Sequence, residues 1–232
     1  VEVVGDMRGD GALTGTFARP RADLNAGFDR IEVGTLGLTD ARMTLTFART
    51  DGGSDGRIAM TAGSSYGPAR GVASLSFRDE RIRLTDMDLN AGGVVAQGDV
   101  TLARGFPSSA DLTFSARPGA FLRAGSLDGR IRLTDGDASE SAVLSVNGRN
   151  VILTGSDLTI RTLRLEGAGS LSRLPFNASV DIGGATPVQF EGEGIYARNG
   201  DAQTVTLTGS GRAREIAFTT LSLIHISQGI VR

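Results

Sequence analysis

The sequence predicts an all-β protein: a long, curved, mainly antiparallel sheet with no significant helix. Three observations carry that expectation. Apolar and polar residues alternate in short runs along nearly the whole chain, which is the period of a strand wetted on one side. Clusters of Gly, Pro, Asn, Asp and Ser interrupt these runs about every ten residues, as turns do. Only GAFLRAGSL (119–127) has material for a helical turn or two, so no helix–strand alternation implies a parallel α/β sheet.

Taken in chain order, the runs justify themselves by side-chain parity. In ARMTLTFAR (41–49), Met43, Leu45 and Phe47 share a face opposite Arg42, Thr44 and Thr46. GVASLSFRD (71–79) sets Ala73, Leu75 and Phe77 against Ser74 and Ser76. SADLTFSAR (109–117), GRIRLTDG (129–136), PFNASVDIGG (175–184) and AQTVTLTGSG (202–211) repeat the pattern. The intervening turns are TDGGSDG (50–56), SYGPARG (65–71), SARPG (115–119) and ARNGD (197–201), with Asn199–Gly200 the strongest two-residue hairpin signal.

Two runs change parity midway. Ile82 and Leu84 give way to Met87 and Leu89, and Leu158 and Ile160 to Leu163 and Leu165. One extra residue in a strand does this, so β-bulges are expected near Thr85–Asp86 and Arg161–Thr162. Repeated bulges would bend and curve a sheet.

A hairpin unit also recurs, in GTFARPRADL (15–24), GDVTLARGFPSSADL (98–112) and GAGSLSRLPFNASV (167–180). Arg19, Arg104 and Arg173 stand where the chain leaves the first strand of each, and a Pro follows, expected between strands rather than in one. These arginines are 85 and 69 residues apart, which matches neither the short regular rungs of a β-helix nor propeller blades. The hairpin repeats within a sheet that simply continues.

Composition excludes several functions. Hydrophobic residues make up 40%, enough to fold, but aromatics are 5% and Gly numbers 33, so the apolar material is spread thinly. Net charge is −2 with both signs interspersed and every basic residue an Arg, so nucleic acid is not an expected partner. With no cysteine there is no disulfide framework, thiolate metal site or cysteine nucleophile. No apolar run reaches the roughly 18–20 residues that span a bilayer. The opening VEVVGD, without Met or signal peptide, reads as an internal piece of a longer chain.

No motif carries convincing chemistry, so no catalytic residue, metal site or cofactor is expected and the chain is not read as an enzyme. GSSYG (63–67) has the nucleophile-elbow spacing, but Pro68 follows in place of a helix, and the single His, His225, lies near the end. TDGGSDGR and TDGDASES lack the alternating carboxylates and closing Glu of a calcium loop and read as solvated turns. GEG (192–194) and GSG (209–211) lie in or beside strands, marking bends or close backbone approach rather than a phosphate cradle. LSLIHIS (221–227) reads like the translation of a sequencing-library adapter, which would make 221–232 a non-native tail and 1–220 one extended segment. Its bland alternative is one more strand, with Leu221, Leu223 and His225 on one face.

A one-layer sheet with one apolar face exposes more than the few hundred Å² a lone protein tolerates. No helix is available to cover it, so a curled sheet filled with acyl chains satisfies both facts, at about 0.8 kcal/mol per buried CH₂. The candidate lining of such a groove is Phe17, Leu45, Phe47, Leu75, Phe77, Leu102, Leu112, Phe114, Leu133, Leu144, Phe176, Val180, Phe190 and Leu207. Each reads equally well as a core-packing residue.

Residues 11–47 (GALTGTFARPRADLNAGFDRIEVGTLGLTDARMTLTF), 76–105 (SFRDERIRLTDMDLNAGGVVAQGDVTLARG) and 115–136 (SARPGAFLRAGSLDGRIRLTDG) carry a resemblance. Their Arg-Pro turns, "LTD" strand ends and Gly-spaced strands resemble the TamB-like proteins of the AsmA superfamily, a style of repeat that covers about residues 5–220. The resemblance implies a periplasmic protein anchored in the inner membrane by a segment outside this chain. It implies a U-shaped sheet, a β-taco, that carries phospholipid between the membranes, supports translocation and assembly of outer-membrane proteins, or both. It further implies an Omp85-type outer-membrane barrel as partner, met through regions absent here. The rival from another class is a structural or adhesive β-solenoid stalk of a secreted protein, which predicts regular rungs and a dry interior; a closed β-sandwich pair is a third option.

Overall fold

The computed structural model describes residues 2–78, 80–103, 106–134, 141–170, 174–182, 187–199, 202–213 and 216–227. The strands are β1 (Glu2–Gly15), β2 (Pro20–Val33), β3 (Leu36–Thr50), β4 (Gly53–Gly63) and β5 (Ala69–Arg78). Then come β6 (Arg81–Ala91), β7 (Val94–Ala103), β8 (Phe106–Ala116), β9 (Leu122–Thr134) and β10 (Ser141–Leu153). The last are β11 (Ile160–Gly169), β12 (Leu174–Ile182), β13 (Pro187–Asn199), β14 (Ala202–Ala213) and β15 (Ile216–Ser227). The described residues contain no helix; GAFLRAGSL is a short loop entering β9.

All strands belong to one sheet whose spatial order is the chain order, β1 through β15. Described pairings are antiparallel and join sequence neighbours. The all-β antiparallel expectation therefore holds, and the sheet is open, with β1 at one end of the order and β15 at the other. Contacts divide the chain into two compact units, Val1–Ala124 (unit 1) and Gly125–Arg232 (unit 2). LSLIHIS lies within β15, which pairs with β14 along its whole length.

Both expected bulges are present. The β6–β7 register slips between Leu84 and Met87, where Asp86 takes φ +53°, and the β11–β12 register slips between Ile160 and Thr162. Further slips occur in β1 between Val4 and Met7 and in β3 between Thr39 and Arg42. Positive φ is uncommon outside Gly, but Asp tolerates it because its short side chain bonds locally. Two bulges are held by a carboxylate on the next strand. The Asp6 amide donates to Asp29 Oδ2 at 3.1 Å, and the Asp86 amide to Asp99 Oδ1 at 3.0 Å. The extra residue of a bulge has no ladder partner, and these aspartates supply one. The LTD triplets expected at strand ends differ accordingly: Leu38–Asp40 and Leu84–Asp86 are mid-strand bulges, and only Leu133–Thr134 closes a strand.

The prolines of the three hairpin units, and Pro187, sit inside strands rather than between them, whereas Pro68 and Pro118 lie between strands. Pro20 and Pro187 open β2 and β13, and Pro107 and Pro175 are second residues of β8 and β12. At these ends a missing N–H costs the ladder little.

Candidate functional site: an uncovered apolar face

Directly paired residues on neighbouring strands project from the same side of a sheet, so the register assigns faces. In unit 1 one cross-strand row runs Phe47–Gly56–Leu75–Leu84–Val100–Ala110. Beside it lie Ser54–Phe77–Ile82–Leu102–Pro107 and Met60–Gly71–Leu89–Ala96–Phe114, with Met87–Gly98–Leu112 between β6 and β8. Leu45, Phe47, Leu75, Phe77, Leu102, Leu112 and Phe114 are therefore brought to one face. Thr44, Thr46, Ser74, Ser76, Arg83 and Thr101 occupy the other.

Glycine alternates with large residues along these rows. Gly56 lies between Phe47 and Leu75, and a Cβ there would run into the Thr46 carbonyl oxygen. Across the gap the rings of Phe47 and Phe77 meet edge to face at 5.7 Å. Two strands that both flank β4 thus touch over it, on the apolar side.

The same face holds a buried cluster of Leu36, Leu38, Ala41, Ala62, Ala69, Ala91 and Ala120, with Phe28, Ile31 and Met60 packed against it. β3 and β9 are six places apart in the sheet order, about 29 Å on a flat sheet at ~4.8 Å per strand. Yet Thr35 Oγ1, at the β2–β3 turn, donates to the Ala120 carbonyl at 2.7 Å, and Ala120 N donates to Gly92 O at 2.8 Å. Leu36 and Ala120 both crowd Gly92. At this end unit 1 curls about its apolar face, and residues 117–121 strap the curl shut. No sequence argument singled out these residues. The available signal was alanine at the inward positions beside each turn: Ala62, Ala69 and Ala91.

In unit 2 the row Leu144–Gly167–Phe176–Gly192–Gly209 repeats the alternation, and Leu163 pairs with both Gly148 and Val180. A Cβ on Gly192 would lie 2.9 Å from the Phe176 ring, so the glycines make room for it, as their placement within strands suggests. An open concavity of about 740 Å³ follows this row, flanked by Ser145, Glu166, Pro175 and Asn177. Leu133 is half-buried between exposed Arg132 and Thr134. Phe190 and Leu207 hold register positions opposite Ala178 and Gly194; their side chains lie outside the described residues. Phe17 departs from the expected lining: it lies in the β1–β2 turn, closed by reciprocal Thr16–Arg19 bonds, and its side chain is fully exposed.

Among the described residues nothing covers this face beyond its strapped end. Apart from Leu36, Leu38, Leu122 and Val151 the buried apolar residues are alanines, while Leu24 is 47%, Phe77 37% and Leu89 36% exposed. Two of the polar motifs make local turn and ion-pair contacts. GSSYG forms the β4–β5 turn, where Ser64 Oγ donates to Gly67 O at 2.7 Å and its oxygen accepts from Tyr66 N at 3.1 Å. The TDGGSDGR carboxylates are each held by one guanidinium nitrogen that donates to both oxygens, Arg19 Nη2 to Asp51 at 2.8 and 3.1 Å and Arg78 Nη2 to Asp55 at 2.9 and 2.8 Å. TDGDASES falls mostly outside the described residues, as do Gly200 and Asp201, though Asn199 pairs with Ala202 there. The His225 side chain is likewise outside them.

Compared with family models, with curated proteins and with solved structures, the chain matches none.

Proposed function

We propose that the chain is a segment of a periplasm-spanning envelope protein of the TamB-like kind, whose apolar face takes up the acyl chains of phospholipid. The observation that carries this reading is the continuous, half-exposed apolar face of unit 1. Its large side chains toward the open rim stay partly wet, while the cluster at its strapped end is dry. A face of that extent needs a partner, and each acyl CH₂ laid on it contributes about 0.8 kcal/mol. The face continues from strand to strand, so an acyl chain laid on it meets large apolar side chains from several strands. Anchorage in the inner membrane and contact with an Omp85-type barrel belong to regions outside this chain.

The test is to express the chain in a bacterial periplasm, purify it gently and identify co-purifying lipid by mass spectrometry. Near-stoichiometric phospholipid is expected, and it should be lost when Leu75→Asp, Phe77→Asp and Phe114→Asp are combined in a protein that keeps its strand content. A folded, lipid-free protein would overturn the reading.

A further inference from the structure

Unit 1 has two unlike rims. The turns after β2, β4, β6 and the β8–β9 strap form one rim, and the turns after β1, β3, β5 and β7 form the other. At the first, every apolar side chain of the cluster is less than 9% exposed, and five of its seven members are alanine. Toward the second, the same face carries Phe47, Leu75, Phe77, Ile82 and Leu102, half-buried or exposed. Alanine predominates in the buried cluster at the strapped rim, while large, partly exposed side chains line the face toward the other. From Ala41 to Phe47 the lining runs six residues along β3, about 20 Å at ~3.4 Å per residue. That is comparable with the ~15 Å depth of one acyl layer in a bilayer.

A cation also stands on the apolar side near the second rim. Arg49 follows Phe47 on the apolar side, opposite Ser54, which itself pairs with Phe77. It is exposed and has no acidic partner among the described residues, whereas Arg19 and Arg78 near the same rim are engaged by Asp51 and Asp55. A free guanidinium at the mouth of an apolar cup suits a carboxylate or phosphate head group.

Resting on the acyl-chain reading above, the geometry points to unit 1 as a blind-ended cup for one anionic amphiphile. The methyl end of the tail lies toward the strapped rim, and the head group lies at Arg49. The strap closes the far end, so entry and exit are through the open rim. Carboxylate and phosphate heads share the chemistry Arg49 offers, and separate ligands distinguish them.

The chain has no cysteine, so a single introduced thiol carries a fluorophore without further changes. In the full chain, Ser54→Cys reports on the open rim and Ala96→Cys on the strapped half. Each is titrated with stearate bearing a spin label near its carboxylate or near its methyl end. The expected result is crossed quenching: the carboxylate-end label quenches position 54 more strongly, the methyl-end label position 96. Binding with equal or reversed quenching overturns the orientation and leaves the lipid reading standing; no binding by stearate or by phosphatidylglycerol vesicles overturns both. Arg49→Ala should weaken stearate and phosphatidylglycerol binding by about tenfold and leave stearyl alcohol unchanged, with Arg49→Lys in between. Equal weakening for the alcohol would remove Arg49 from the head-group contact. Weakening for stearate alone would assign the site to free fatty acids, and weakening for both anions to anionic lipid generally.

Discussion

The strap makes a quantitative prediction about what holds unit 1 curled. Thr35→Val keeps the shape of the side chain and removes its hydroxyl, so the 2.7 Å bond to the Ala120 carbonyl is lost. Ala120 is fully buried and its amide is already bonded to Gly92 O, so its carbonyl has little freedom to find another donor. A hydrogen bond of this kind contributes about 0.5–1.5 kcal/mol, and an orphaned buried acceptor costs about 1–3 kcal/mol. Thr35 itself is exposed, which lets water recover part of that. The expected loss is about 1.5 kcal/mol, which at a urea dependence of about 1.5 kcal/mol per molar lowers the unfolding midpoint by about 1 M. Thr35→Ser retains the hydroxyl and should lose less than half as much. Equal losses for Val and Ser, or none for either, would refute the claim that this bond ties the two turns together.

Other substitutions probe other parts of the sheet. Gly98 has φ +134° and a Cβ there would run into the Asp111 carbonyl oxygen, so Gly98→Ala should destabilise unit 1 by about 2 kcal/mol or more in urea unfolding. Asp99→Ala removes the acceptor of the Asp86 amide and should cost about 1 kcal/mol, while Asp99→Asn keeps an acceptor and should cost less, both read by the urea midpoint. Phe77→Ala removes a ring about two-thirds buried and its edge contact with Phe47. A fully buried ring would cost about 3–5 kcal/mol, so about 2–3 kcal/mol is expected, again by urea unfolding.

Much of the sheet is legible because strand parity is a local signal. The jump from Leu84 to Met87 locates the β6 bulge to within a residue, and the jump from Ile160 to Leu163 does the same for β11. The β3 bulge follows the same rule, since Leu36 and Leu38 give way to Ala41 and Met43. Reading the run from Ala41 onward hides it. Phe17 fails for the opposite reason: Pro20 draws attention as the break, but the turn begins at Thr16, and parity says nothing beyond the strand end. The strapped end is the part that local pattern cannot reveal. Ala62 and Ala69 are dry in a cluster that Ala120 joins from the strap before β9, far along the chain, and an alanine carries too little apolar area to announce itself. Glycine is ambiguous in the same way, since only pairing shows that Gly56 stands beside Phe47 and Gly192 beside Phe176.

A sheet ordered as its sequence has consequences for how the chain is made and how it changes. Every strand finds its partner in the segment just synthesised, so each closure spans only a short loop and its entropic penalty stays small. Assembly can proceed hairpin by hairpin, each finished strand templating the next, without waiting for the far end of the chain. The same logic governs growth over evolutionary time. Adding or deleting two strands restores the direction of everything downstream, whereas one strand would exchange the strapped and open rims for every later turn. Length in this architecture is therefore adjustable in units of a hairpin, and parity rather than any particular residue is what selection must preserve.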